Sequence, residues 1–242
     1  MTKDNIYAAP LTKVGDFEFD DAVAEVFPDM IRRSVPGYSS MLSMVSLCAS
    51  KYAQPKTKLW DLGCSLGACT MLMHEQAPAD CHIVGVDLSS SMLQRLKATI
   101  QSQQIATSRV TLQEADIRDV KVDNASFVCL NLTLQFVPPA ERTAVLRNVC
   151  AGMNSGAALL LSEKVCFEDS DQQKLMTELH HHFKRAHGYS NLEIAQKRTA
   201  IENRLVPETL QQHTDRLRQV GFGTVSVWFQ CFQFASLLAI KP

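Results

Sequence analysis

The chain lacks a C-x-x-C pair, a long apolar run, and a surplus of either charge. Each absence removes a class of protein. Without paired cysteine spacing there is no zinc-ligand signature, and the eight cysteines read as reduced core thiols: Cys48, Cys81, Cys129 and Cys231 all lie in apolar stretches. No apolar segment approaches the ~20 residues that span a bilayer. The opening MTKDNIYAAPL has no apolar core of signal-peptide length, so the expectation is a cytoplasmic protein that spans no membrane. The 24 Lys and Arg balance 25 Asp and Glu for a net charge of -1, without the basic excess that gripping nucleic-acid phosphates requires. That balance favours a small-molecule substrate. No Gly/Ser/Pro-rich linker divides the 242 residues, of which 46% are hydrophobic. The reading is a single domain over 1–242, with N-terminal helices over 1–56 and a helical insert over about 166–206.

What is present is an alternation. From Thr57 to Lys164 short apolar strands ("TKLWDLG", "CHIVGVD", "RVTLQEAD", "ASFVCLN", "GAALLLSEKV") alternate with helical stretches. Ser89 or Ser90 is placed to cap the helix that follows the second strand. Near-continuous apolar strands separated by helices predict an α/β fold, a mostly parallel sheet covered on both faces. Three helical stretches, roughly 170–186, 190–204 and 207–220, precede two closing strands. Those strands are expected to form an antiparallel hairpin. The first 56 residues read as helical, broken by "VPGY" at Val35 to Tyr38.

The stretch Gly63-Cys64-Ser65-Leu66-Gly67 fits two motifs. As G-x-S-x-G it resembles the elbow that presents a serine nucleophile, and Asp87, Asp116, His180 and His213 downstream supply formal triad partners. That elbow, however, follows several strands and an oxyanion loop, and here the turn follows the first strand. As a glycine turn near a cofactor it is one residue shorter than the dinucleotide fingerprint. Carboxylates end three successive strands. Asp61 would repel a pyrophosphate but attract an ammonium. Asp87, about twenty residues on, stands where an acid takes two ribose hydroxyls, and Asp116 lies where an adenine amine would fall. Each acid alone also suits a cap or a turn. The ordered series implies a nucleoside bearing an ammonium and no phosphate, a description that S-adenosylmethionine (SAM) meets.

The strings "FDDAVAEVFPDMIRRSVPGYS", "DLGCSLGA", "LNLTLQFVPP", "LSEKVCFED", "HHFKRAHGYSNLEIAQKRTAIEN" and "VWFQCFQFASLLAIKP" resemble the carboxy-S-adenosyl-L-methionine (carboxy-SAM) synthase family. The resemblance runs from about Ala9 to Lys241. It implies the Rossmann-like class I SAM-dependent methyltransferase fold, seven strands with the last reversed. It also implies a reaction in which SAM and prephenate give carboxy-SAM and phenylpyruvate. The prephenate ring hydroxide takes a proton from the SAM methyl, and the methyl carbon captures the departing carbon dioxide. A separate tRNA carboxymethyltransferase then uses the product on a wobble uridine (cmo5U34), so this chain needs no direct nucleic-acid contact. A homodimer is also implied. The implied cofactor site comprises Tyr38, Gly63, Cys64, Ser65, Asp87, Leu88, Asp116, Ile117, Asn131 and Arg198, with no metal and with Arg198 as the catalytic residue. Leu88 offers only backbone or apolar contact. The alternative is an ordinary SAM-dependent methyltransferase of a small molecule.

The residues around Arg198 carry a signal of their own, apart from that resemblance. Ser190 with Glu193 is a capping box, and on the helix it starts Ile194, Arg198, Ile201 and Leu205 share a face. An arginine inside an apolar stripe calls for an anion. Carboxy-SAM carries at its methyl end a carboxylate that SAM lacks, so Arg198 is expected to bind it; a structural ion pair is the other reading. Lys184 and Arg185 read as surface residues. They, Arg32, Arg33 and Lys164 are also candidates to meet dianionic prephenate. His180, His181 and His182 point in different directions on a helix and hold no metal together. Trp60 and Trp228 read as core.

Overall fold

A computed structural model describes residues 2–106, 108–202 and 204–242. Two helices lead, α1 (Asp21–Ser34) and α2 (Tyr38–Tyr52). Asp20 caps α1 by accepting from Val23 N, and Val35 and Gly37 break the chain between the helices. Gly37 has φ +74, and a Cβ there would meet the Phe229 ring at 2.2 Å. The alternating segment then gives β1 (Lys58–Leu62), α3 (Ala68–Gln76), β2 (His82–Asp87), α4 (Ser90–Ser102), β3 (Val110–Glu114), β4 (Ala125–Asn131), α5 (Pro139–Gly152) and β5 (Met153–Cys166). The expected cap of α4 is Ser89, whose hydroxyl accepts from Met92 N. After β5 come α6 (Ser170–Ala186) and α7 (Asn191–Ile201), then a two-residue β6 (Glu208–Thr209), α8 (Leu210–Gln219), β7 (Thr224–Cys231) and β8 (Phe234–Ile240).

The sheet order is β3-β2-β1-β4-β5-β8-β7, with β6 paired to β5. β1 to β5 are parallel, and β8 runs antiparallel to both β5 and β7. The expected α/β sheet with a reversed last strand is what forms. Strand alternation splits the core in two. Trp60, Leu62, Val84 and Leu130 face α5 and α8, whereas Leu59, Ile83, Phe127 and Cys129 face α2, α3 and α4. Each fully buried Leu, Ile or Phe contributes roughly 1.5–3 kcal/mol of transfer free energy. Both faces of β4 are covered, which explains its unbroken apolar text. Trp228 is only partly buried, its indole N–H donating to Ser236 Oγ at 2.8 Å.

Residues 2–20 form no helix, contrary to the reading of 1–56 as helical. They run as an irregular strap held by specific bonds. Asp4 N donates to Asp29 Oδ2, Leu11 N to Gln196 Oε1 and Phe17 N to Ala200 O. Pro10 and Gly15 disfavour a helix here, and Phe17 buries its ring beside Val23, Val26 and Met92. Among the described residues no helix is long and apolar enough to cross a membrane.

Candidate cofactor site and its cationic rim

The glycine turn links β1 to α3. Gly63 N and Cys64 N both donate to Val86 O, and Gly67 N closes on Cys64 O. Gly63 has φ +85, and a Cβ there would lie 2.2 Å from Thr133 Oγ1. Gly67 has φ +84 and backs onto Leu96 just as closely. Only glycine meets both demands. Ser65 itself sits at φ +49, its backbone N–H donating to Asp87 Oδ2 and its hydroxyl reaching Met92 Sδ at 3.4 Å. His180 Nε2 is bonded to Ser34 O, and both ring nitrogens of buried His213 lack a partner among the described residues. No histidine among the described residues is hydrogen-bonded to Ser65. It is a turn residue, not an activated nucleophile.

The parallel strands end on one edge of the sheet, and three of the named side chains meet there. Asp87 joins two segments, its second oxygen accepting from Ser89 N at 2.9 Å, and burial raises its carboxyl. Asp61 is 1% exposed. Burial pushes its carboxyl up to about 7 against a Thr70 hydroxyl that donates at 2.6 Å and stabilises the anion. Asn131 ends β4 with its Oδ1 buried and without a partner among the described residues. Tyr38 opens α2, its phenol raised above the ordinary range by burial. Ile117 is buried in the core beside Leu130 and Leu134, whereas Leu88 stands 67% exposed. Asp116 is held below the usual carboxylate range by Arg118, which binds both its oxygens. Asp61, Cys69 and Cys129 bring donor atoms within 4.8 Å of one another, with the two thiols hydrogen-bonded to each other; that bond and burial raise Cys129, and burial raises Cys69.

Arg198 departs from expectation. Ser190 and Glu193 do form the capping box. The buried face of α7, however, runs through Glu193, Ile194, Gln196, Lys197 and Ala200, which puts Arg198 at its margin. Its side chain is 67% exposed and approaches Glu202 at 4.0 Å. Ile194 of the expected stripe is buried and Ile201 packs against the Phe17 and Ala200 cluster, so Arg198 alone departs from it, turning outward between them. Lys197, one position earlier, is the enclosed cation: its ammonium donates to Ser34 Oγ at 3.3 Å and lies 3.8 Å from Asp4. Arg33 is committed to structure, binding Asp29, the carbonyls of Asp4 and His187, and the Tyr189 ring face.

Sequence reasoning underrated two residues. Lys164 follows fully buried Glu163 near the end of β5, and Lys184 is half-buried on α6 rather than fully on the surface. A signal for the first existed, since "SEK" sits inside an otherwise apolar strand. Glu163 fixes the loop after β4 by accepting from Leu134 N and Gln135 N, and its carboxyl is pushed up to about 8 by burial. Of the three histidines, His180 is buried, His181 half-buried and His182 exposed.

A family model described as a methyltransferase domain matches residues 60–156. The carboxy-S-adenosyl-L-methionine synthase of Aliivibrio fischeri is 51% identical over 239 residues, 98% of each chain. The synthase of the same name from Trichlorobacter lovleyi is 50% identical over 244 residues, covering both chains completely. Among solved structures, human N-acetylserotonin methyltransferase in complex with SAM superposes with a TM-score of 0.61 at 16% identity. The match covers 91% of this chain and 59% of that one, a likeness of fold.

Proposed function

The chain belongs to the carboxy-S-adenosyl-L-methionine synthase family, and from that premise we propose that it converts SAM and prephenate to carboxy-SAM and phenylpyruvate. It is a transferase whose cofactor is SAM. The residues present fit that group. Asn131 Oδ1 has no donor among the described residues, and Asp61 offers a carboxylate to an ammonium. Bound there, SAM supplies a sulfonium whose methyl protons are acidic. Tyr38, Asp61, Asn131 and the glycine turn hold the methionyl end, Asp87 takes the ribose, and Leu88, Asp116 and Ile117 complete the nucleoside pocket.

The observation that carries the reading is the pairing of this acidic notch with cations next to it. Arg198 lies close enough for its charge to bear on Lys164 and His181. An ordinary methyl transfer needs the acids and has no use for the cations. Arg198 binds the carboxylate that distinguishes the product from SAM. The protein contributes proximity, charge and exclusion of water, with α6 and α7 covering the reacting groups. The enzyme acts as a cytoplasmic homodimer built on one domain, and its product goes to a tRNA carboxymethyltransferase acting on the wobble uridine.

One observation favours an ordinary methyltransferase: the exposure of Arg198 beside Glu202. Incubating purified protein with SAM and prephenate separates the two. The synthase yields phenylpyruvate and carboxy-SAM in equal amounts. Phenylpyruvate formed without need of SAM, or methyl transfer with no carboxy-SAM, counts against it. Arg198→Ala is expected to lose retention of carboxy-SAM in native mass spectra while keeping SAM affinity within about threefold. Its stability should shift by less than about 0.5 kcal/mol, the usual range for an exposed charge.

A further inference from the structure

Buried cations in this protein are normally matched. Arg142, fully buried, binds Glu208 and the carbonyls of Gln135, Val137 and Val206. Two half-buried lysines are not. Lys164 sits two residues beyond Ser162, the ladder partner of Asn131. Across the other ladder Lys164 pairs with Phe234, so both side chains project from the same face. The Phe234 ring belongs to a cluster with Val35 and Met41, against which Tyr38 packs. His180 of α6 packs its ring edge-on against Phe234 at 5.1 Å and bonds Ser34 O. Lys184 follows His180 by one helical turn on the same face. Thus β5, the start of α2 and α6 bring two ammonium groups to one recess beside the cofactor edge.

Among the described residues, neither ammonium makes a hydrogen bond or has a carboxylate within 4.0 Å. Their neighbours are mostly of like sign. Lys184 feels Lys164 and Lys197, and Lys164 feels Arg198. Asp4 is the acid that bears on Lys184, and it is already engaged by the Tyr189 hydroxyl and by Lys197. Burial, aided by this repulsion, pushes Lys184 down to about 7. Enclosing an ammonium with no counter-ion is costly, and two sharing a recess cost more. A ligand carboxylate entering between them would supply the counter-charge that neither finds in the protein.

We infer that Lys164 and Lys184 form the binding site for a dicarboxylate, one ammonium for each carboxylate, holding the second substrate against the sulfonium end of the cofactor. This rests on the reading that prephenate is that substrate. Neutral substrates gain nothing from the pair, and monocarboxylates satisfy half of it, so the pair also sets specificity.

The test uses Lys164→Met and Lys184→Met in the full chain, with phenylpyruvate release followed as prephenate is varied at saturating SAM. Truncating one member of an enclosed charge pair lowers affinity by about 30-fold or more. Each variant should therefore raise the KM for prephenate by at least that factor, with SAM affinity by calorimetry unchanged within about threefold. The melting temperature should hold or rise, because an unpaired charge has been removed. Lys184→Arg, which keeps the charge, should recover part of the loss. Unchanged KM in both methionine variants overturns the inference, as does a loss of SAM affinity and melting temperature together. If the wild-type protein makes no phenylpyruvate, the assigned reaction fails, and malonate then tests the recess alone. Thermal stabilisation of the wild type by malonate, absent in both variants, supports the site; equal stabilisation of all three, or of none, overturns it.

Discussion

Asp61→Asn should make the ligand-free protein more stable, by an amount that grows with pH. The Asp61 carboxyl titrates near 7 in the folded protein because burial disfavours its anion, against a reference of 3.8. With the folded value above the unfolded one, the stability this group lends is complete below pH ~4 and is lost as pH rises through 7. At pH 5 the unfolded chain has already released most of this proton, and the loss is ~1.7 kcal/mol. At pH 8 it reaches ~4.3 kcal/mol, at 1.36 kcal/mol per pKa unit. Asparagine keeps the shape and an acceptor for the Thr70 hydroxyl but does not titrate. All other groups titrate in both proteins and cancel in the comparison. The stability gap between variant and wild type should therefore widen by ~2.6 kcal/mol from pH 5 to pH 8. For a chain of this size that is a relative gain of about 5–10 °C in melting temperature. Paired thermal melts at the two pH values measure it, and calorimetry should show SAM binding at least tenfold weaker in the variant. A gap that stays constant with pH, or a variant less stable than wild type at pH 8, would refute the claim that an unneutralised carboxylate is stored in this notch.

Gly63→Ala strains a positive φ and drives a Cβ into Thr133, so urea denaturation should register a loss of about 1–3 kcal/mol, and SAM binding should fall with it. Arg142→Ala strips the guanidinium from a sealed site and takes away the donors that serve the Val137 and Val206 carbonyls and part of Glu208. A destabilisation of about 3–5 kcal/mol is expected by the same assay. Ser65→Ala removes only a hydroxyl resting on a methionine sulfur, so turnover should stay within about threefold of wild type. A collapse of turnover there would reinstate the nucleophile elbow.

Local chemistry wrote much of this molecule into its sequence. The apolar text of "ASFVCLN" marks a strand covered on both faces, and Ser190 with Glu193 marks where α7 begins, because both depend on neighbours a few residues away. The acids at the strand ends were legible for the same reason: a parallel strand presents its last residues on one edge whatever packs above it. Gly63 and Gly67 announced a turn, although the need for them comes from Thr133 and Leu96, distant in sequence.

Which face of a helix docks is another matter. Arg198 and Lys197 are one residue and 100° apart, and only the fit of α7 against α1 and the N-terminal strap sends the lysine inward and leaves the arginine at the rim. The strap itself, read as helix, is held by partners as far away as Gln196. The recess of Lys164 and Lys184 is likewise tertiary. A sheet ladder, a phenylalanine and a histidine bring together two like charges that lie twenty residues apart. Periodicity records a preference for burial, whereas the partner that accepts or withholds a counter-charge is chosen by the fold.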